Sequence, residues 1–297
     1  MYYGSIEAGG TKFVCAVGRD NGEIITSTQM NTERPEKTMP QVLDFFRQYQ
    51  LKSIGIGSFG PIDIATQSYT YGHITSTPKL DWRDYPLVQT IQSALDVPIS
   101  FNTDVNAAAL GEATLGAARG LDSCLYITVG TGIGAGAVVR GQVLQGLSHP
   151  EMGHILIRRH PDDDYQGNCP YHKDCLEGLA AGPAIEKRWG KKGMDLSDRP
   201  EVWELEAYYI AQALVQYAMI LSPKKMILGG GVMKQFQLFP LIRSKFQELL
   251  NGYFDFPEVT DQIDEYIVSP GLGDQAGITG GLVLAKQVAG RPYKSAE

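Results

Sequence analysis

The residues best suited to chemistry crowd into one stretch, "GHILIRRHPDDDYQGNCPYHKDCLEG", in a chain with only four cysteines and five histidines. Cys169-x-x-His172-x-x-Cys175 offers three soft or borderline ligands at turn spacing, and His154 upstream offers a fourth. Two imidazoles and two thiolates suit tetrahedral Zn²⁺, and four protein ligands leave no open position, so such a metal is structural. His160 and His149 are competing ligands, and a chance polar cluster is the bland alternative. Cys15 and Cys124 lie in apolar runs and read as ordinary buried residues, while Asp162 to Asp164 read as a solvated loop.

Asp104, in "SFNTDVNAAALGE", is the second chemical candidate. It follows a short apolar run and a turn at Asn102 to Asp104, and it opens an alanine-rich helix. A helix N-terminus favours the ionised carboxylate, which can then accept a proton. Capping that helix is the competing use of an aspartate here, and local sequence leaves the two even.

Glycine supplies the third kind of chemistry. "EAGGTK" and "TVGTGIGAG" each sit in a tight turn between two apolar runs, where successive backbone N–H groups can converge on one anion. "LGGGV" (Leu228 to Val232) follows a buried run and lets backbone lie flat against a ligand. Any one cluster alone reads as a hairpin turn; three of them with an internal repeat favour a polyphosphate. "GIGSFG" (Gly55 to Gly60) and "GIGAGA" (Gly132 to Ala137) match dinucleotide fingerprints only superficially, because no helix follows either. No GxxxxGK[ST] occurs.

Elements that can position these groups are legible. "YYGSIEAGGTKFVCAVGRDNGEIITSTQM" reads as strand, glycine turn, strand, turn, strand, and "SCLYITVGTGIGAGAVVRGQVLQG" repeats the pattern. The repeat predicts two α/β lobes, each opening with an antiparallel meander. Helices are expected over "PEKTMPQVLDFFRQYQ", "AGPAIEKRW", "ELEAYYIAQALVQYAMILS" and the small-residue C-terminal segment "GDQAGITGGLVLAKQVAG"; "LKSIGIGSFGPID" reads as a buried strand running into a loop, and "KKMILGGGV" as a strand into glycines. The lobes are expected at 1–118, completed by a C-terminal helix at 275–297, and at 119–274. With 297 residues, 43% hydrophobic, the chain can bury a sizeable core. A net charge of −7 argues against general affinity for nucleic acid or membrane surfaces. The N-terminus lacks the basic and apolar regions of a signal peptide, and no apolar run spans a bilayer, so a cytoplasmic location is expected.

"EAGGTK", "NTDVNAAALGE", "TVGTGIGAG", "EMGH", "CPYHKDCLEG" and "LGGGV" stand in the order seen in the ROK family of bacterial sugar kinases, which the chain resembles end to end. "EAGGTK" and "TPKLDW" resemble that family's fructokinase branch rather than its glucokinases. The resemblance implies the two-lobed, actin-like (ribonuclease H-like) ATPase fold, with ATP and magnesium in the cleft and a hexose hydroxyl, that of D-fructose, as acceptor. It assigns Asp104 as catalytic base. It gives the sugar to Glu151, His154 and Glu177, with Gly60, Pro61, Thr103 and Asn106 as weaker contacts. It gives the nucleotide to Gly9, Gly10, Thr11, Lys12, Gly130, Thr131, Gly132, Pro183, Gly229, Gly230 and Gly231. Zinc on His154, Cys169, His172 and Cys175 would fix the loop that presents His154 and Glu177, with His154 facing metal and substrate through different ring nitrogens.

Three departures from the family pattern matter. Thr103 stands where many members have asparagine, Glu7 where broader actin-like kinases have aspartate, and His172 replaces a cysteine at altered spacing. A sugar-sensing repressor of the same family is disfavoured because the first phosphate turn begins at residue 7, and a zinc hydrolase because the ligand set is closed. A homodimer is expected. A side chain at Gly10 or Gly132 is expected to block ATP while largely sparing the sugar.

Overall fold

The computed structural model describes residues 1–289. Three apolar runs separated by glycine-containing turns become the antiparallel meander β1 (Tyr2–Ala8), β2 (Lys12–Gly18) and β3 (Ile24–Asn31). After α1 (Pro35–Phe46), strand β4 (Leu51–Ser58) returns parallel to β1. After α2 (Leu87–Leu95), β5 (Ile99–Thr103) adds parallel to β4, giving the order β3-β2-β1-β4-β5.

Helix α3 (Asp104–Leu115) starts directly at the end of β5. The turn expected at Asn102 to Asp104 is therefore absent: strand runs through Thr103, and helix begins at the next residue. Thr103, not Asp104, is the N-cap; its hydroxyl oxygen accepts the Asn106 N–H at 3.1 Å. Residues 106–112 of α3 are all buried, so the helix is enclosed rather than amphipathic, and its three alanines and Gly111 let neighbours approach closely.

The second sheet repeats the plan. β6 (Cys124–Val129), β7 (Ile133–Val139) and the two-residue β8 (Gln142–Val143) form the meander. Then come α4 (Leu176–Ala180), α5 (Gly182–Trp189) and α6 (Pro200–Leu221). β9 (Met226–Gly229) pairs parallel to β6, and after α7 (Leu238–Leu250), α8 (Pro257–Thr260) and α9 (Ile263–Tyr266), β10 (Ile267–Val268) completes the order β10-β9-β6-β7-β8. Its core is built around Trp203, Tyr209, Phe246 and the buried faces of α6 and α7. The first sheet's core centres on Phe13, Trp82 and the Ile54–Ile56 strand.

The last helix, α10 (Ala276–Ala289), returns to the first sheet. The buried hydroxyls of Ser5 and Ser53 donate to its Ile278 and Ala285 carbonyls, both at 2.6 Å. Its Gly280 lies so close to the Ala107 carbonyl of α3 that no Cβ would fit between them. Glu112, fully buried on α3, accepts three backbone N–H groups, from Ala117, Gly271 and Leu272 at 2.7, 3.0 and 2.9 Å, and so ties α3 to the approach of α10. The part of the expected C-terminal helix beyond Ala289 lies outside the described residues. Among those described, no helix is long and apolar enough to cross a membrane.

Candidate active site and metal centre

Parallel strand registers bring the candidate residues of the first sheet to one edge. Ala8 pairs with Ser58, and Ser58 with Thr103, so the residues after β1, β4 and β5 emerge side by side. These are the Gly9–Gly10 turn, the Phe59–Gly60–Pro61 loop and Asp104, and a cleft at the carboxyl ends of parallel strands is where α/β folds bind ligands. On the second sheet, Thr128 pairs with Gly229, which brings the Gly130–Gly132 turn beside Gly229–Gly231. The N-terminus of α5 closes that corner: Gly182 N–H donates to the Gly130 carbonyl at 2.8 Å, and Pro183 follows at the start of the helix. Gly230, at φ +92° and against the Val129 backbone, occupies a position that side chains rarely tolerate.

Asp104 is a half-buried carboxyl at the head of α3. Its Oδ1 accepts the N–H of Val105 at 2.8 Å. Burial pushes its pKa up to about 7, with the negative charges of Glu7 and Glu151 adding to the effect. The expectation that the helix N-terminus alone keeps it ionised is thus corrected. Desolvation and two neighbouring acids outweigh the dipole, and they leave a carboxylate poised to exchange a proton near neutrality. Glu7 is raised as well, by burial first, with Lys12 opposing and Asp274 reinforcing. The Glu7 carboxyl lies over Gly277 at the start of α10. An acidic pocket whose members disfavour one another's ionisation has the chemistry of a site for a divalent cation.

The other sugar candidates come from the second sheet's loops. Glu177 of α4 accepts the Ile133 N–H through Oε2 at 2.9 Å and faces Nε2 of His154 at 4.0 Å. Glu151 is half-exposed, held up in pKa by burial and by Glu177, with His154 opposing. Thr103 and Asn106 behave differently. Thr103 is buried as the cap of α3, and Asn106 is buried beneath it with its amide nitrogen donating to Asn102 Oδ1 at 2.8 Å.

Around the first turn, Gly9 N–H donates to Lys12 O at 3.0 Å, and Thr11 takes the turn's exposed tip. Lys12 points along the sheet toward Gln29 and Glu7. Lys79 was given no role by the sequence, although it lies in "TPKLDW". Trp82, fully buried, stacks on Phe13 at 5.1 Å and donates its indole N–H to the Glu33 carbonyl at 2.7 Å. That anchor carries Lys79 over the turn, its Cε 3.3 Å from where a Cβ on Gly10 would stand.

The metal ligands converge. Nδ1 of His154 lies 3.6 Å from Cys169 Sγ and 3.5 Å from Cys175 Sγ, and Nδ1 of His172 lies 3.8 Å from Cys169 Sγ. All four ligand atoms fall within 4.8 Å of one another. Tetrahedral zinc, with bonds of about 2.0–2.3 Å, separates its ligands by roughly 3.5–3.8 Å, so the donor set and its spacing fit. The two competing histidines stand elsewhere: His160 accepts the Asp162 N–H and packs on Tyr208, and His149 accepts the Ile62 N–H.

One part of the loop departs from its expected solvated character. Asp163 is buried and forms a two-pronged ion pair with buried Arg188 of α5, at 3.0 and 3.2 Å, and it accepts the Tyr209 hydroxyl proton at 2.5 Å. The neighbours Asp162 and Asp164 are exposed. The pair locks the ligand-bearing loop to the helix whose N-terminus borders the Gly130 turn.

The model of the ROK family matches residues 3–288. The chain belongs to the ROK family. It is 63% identical over 284 residues to a Bacillus subtilis (strain 168) protein provisionally named a fructokinase, covering 96% of this chain and 95% of that one. It is 47% identical over 286 residues to the fructokinase of Pediococcus pentosaceus, covering 96% and 98%. Relatives named glucokinase, at 24–29% identity, are more distant. The crystal structure of the Thermus thermophilus ROK hexokinase superposes with a TM-score of 0.79 at 26% identity, covering 97% of this chain and 98% of that one. The two mixed sheets flanked by helices are thus the actin-like architecture of ROK sugar kinases.

Proposed function

We propose that this ROK kinase transfers the γ-phosphoryl group of ATP to D-fructose, giving fructose 6-phosphate and ADP. The observation that carries the reading is Asp104, a half-buried carboxyl whose pKa is raised to about 7, with the acids Glu7, beside the first glycine turn, and Glu151 adding to the effect. The fructokinase names of relatives at 63% and 47% identity support fructose over glucose or mannose, which remain the second reading.

In this mechanism the Gly9–Gly10 and Gly130–Gly132 turns direct backbone N–H groups at the phosphates, with the Thr11 and Thr131 hydroxyls and Lys12 beside them. Gly229–Gly231 and Pro183 border the nucleoside. Lys79 has no ion-pair partner among the described residues and is the cation offered to the γ-phosphate. Glu151, His154 and Glu177 read sugar hydroxyls, with the Gly60–Pro61 loop lying beside Glu151 at the edge of the same site. The sugar oxygen forms a bond to the γ-phosphorus as the bond to the ADP oxygen breaks, ADP leaving with the electron pair. Asp104 accepts the hydroxyl proton late, because the transition state is loose, and then releases it to solvent. Magnesium would be held beside Glu7 and would neutralise phosphate charge when bound. Zinc on His154 Nδ1, Cys169, His172 and Cys175 would fix the loop and leave His154 Nε2 facing the cleft.

The lobes 1–118, with the C-terminal helix, and 119–274 are proposed to close on the two substrates, excluding water. A cytoplasmic setting suits four free cysteines. A homodimer would cover exposed apolar residues such as Leu156 and Ile220, joined through the Gln216 contact to the Leu156 carbonyl. No nucleic-acid or membrane partner is invoked. ADP release measured across a panel of hexoses tests the reading; sugar-independent ADP release would overturn it.

A further inference from the structure

His149 sits where the two lobes meet beside the sugar-reading loops, and neither the metal nor the phosphate chemistry uses it. Its side chain is 3% exposed. Nε2 accepts the backbone N–H of Ile62 at 3.1 Å, and Ile62 belongs to the core of the first sheet, whereas His149 extends from β8 of the second. A ring nitrogen that accepts carries no hydrogen, so the neutral tautomer places the proton on Nδ1. Nδ1 stands within ion-pairing distance of Oε1 of Glu151, at 3.4 Å, and the Pro150 backbone also bonds the ring. Ring and carboxylate lie side by side against Gly60: a Cβ there would stand 3.5 Å from His149 Cε1 and 3.7 Å from Glu151 Oε1. Burial holds the imidazole below its ordinary pKa, which keeps it in the neutral form that can accept from Ile62.

We propose that His149 is a positioning residue for sugar recognition: its Nδ1–H orients the Glu151 carboxylate, while its Nε2 ties the Gly60–Pro61 loop of one lobe to the sugar-reading loop of the other. The proposal rests on the reading of Glu151 as a sugar contact. The two ring nitrogens have separate tasks, and two amide variants separate them. His149→Asn keeps a donor near the Nδ1 position but is too short to accept from Ile62. His149→Gln can reach Ile62 with its amide oxygen but moves its donor away from Glu151.

The test is steady-state kinetics with fructose and ATP varied in turn, together with thermal unfolding, on His149→Ala, His149→Asn, His149→Gln, Glu151→Gln and the double variant His149→Ala/Glu151→Gln. Hydrogen bonds to charged groups set the scale. On that scale His149→Ala is expected to raise the fructose KM roughly tenfold while the ATP KM moves by less than about twofold. His149→Asn recovers part of the fructose KM, and His149→Gln recovers thermal stability without recovering KM. The double variant is expected to be no worse in fructose KM than Glu151→Gln, because His149 acts through that carboxylate. If Glu151→Gln raises the fructose KM but His149→Ala does not, or if His149→Gln restores KM and His149→Asn fails to, the proposal is overturned. A Glu151→Gln enzyme with normal fructose KM overturns instead the sugar-site reading beneath it. Should His149→Ala fail to fold, the Asn and Gln pair decides by the same criterion.

Discussion

Glu177 accepts the backbone N–H of Ile133 at 2.9 Å, so the carboxylate proposed to read the sugar is bonded to the strand that leaves the Gly130–Gly132 turn. A Cβ added to Gly132 would stand 2.6 Å from that same carboxylate oxygen. On the proposed reading, phosphate and sugar recognition are mechanically joined on this lobe. Gly132→Val is expected to raise both the ATP and the fructose KM, a larger effect on the sugar than the sequence alone suggests. At Gly10 a Cβ meets only the flexible end of Lys79, and Gly10→Val is expected to raise the ATP KM alone. Substrate titrations of the two variants check the contrast; identical behaviour would contradict it.

Asp104→Asn is expected to lower turnover by roughly 10²- to 10⁴-fold with the fold intact, the usual worth of a positioned base. The same change should stabilise the protein above neutral pH. A carboxyl whose folded pKa is about 7, against 3.8 unfolded, contributes stability fully below 3.8 and loses it as pH rises through 7. Above that point the charged form is a cost, and an amide removes it. Thermal unfolding should show the variant more stable at pH 8, by on the order of 1–4 kcal/mol, and no such gain at pH 3.5. In the wild-type protein, activity at limiting fructose should fall as pH drops through about 7, as the base becomes protonated.

Metal analysis should find about one zinc per chain in a two-nitrogen, two-sulfur shell. Chelation is expected to lower the unfolding temperature and raise the fructose KM together, because His154 is proposed to serve both the ligand cluster, through Nδ1, and the cleft, through Nε2. Protein purified without chelator and found free of metal would end this reading. A water ligand in the shell would make the metal catalytic rather than structural.

Arg188→Met should destabilise the protein by about 3–5 kcal/mol, the cost of leaving a buried carboxylate unpaired, here Asp163. Loss of Arg188 should also weaken ATP binding, since α5 carries both Arg188 and the Gly182 contact to the phosphate turn. Chemical denaturation and nucleotide titration measure the two effects. An unchanged midpoint would show that the pair contributes nothing net.

Both meanders were legible because glycine pairs between apolar runs leave little choice but hairpins, and the ligand cluster because its spacing is local. What escaped depends on partners far along the chain. Asp163 looks like its exposed neighbours until Arg188 and Tyr209 surround it. His149 resembled a spare metal ligand, since nothing near it in sequence reveals the Ile62 amide. The Asp104 charge state was misjudged because a helix dipole is visible in the sequence, whereas burial beside Glu7 and Glu151 is a property of the assembled lobes. Lys79 gained its place through the Trp82–Phe13 stack, a contact between residues 69 positions apart.

In the proposed reaction the γ-phosphoryl group of ATP passes directly to the 6-hydroxyl of fructose while Asp104 takes that hydroxyl's proton. The most direct measurement incubates the protein with ATP, magnesium and fructose and determines the phosphorylated product by phosphorus NMR, alongside the Asp104→Asn variant. The account predicts stoichiometric ADP and fructose 6-phosphate from the native protein, and at least about 10²-fold slower formation from the variant at equal nucleotide binding. Fructose 6-phosphate formed at the native rate by a folded Asp104→Asn protein, or ADP released with no phosphorylated sugar, would contradict it.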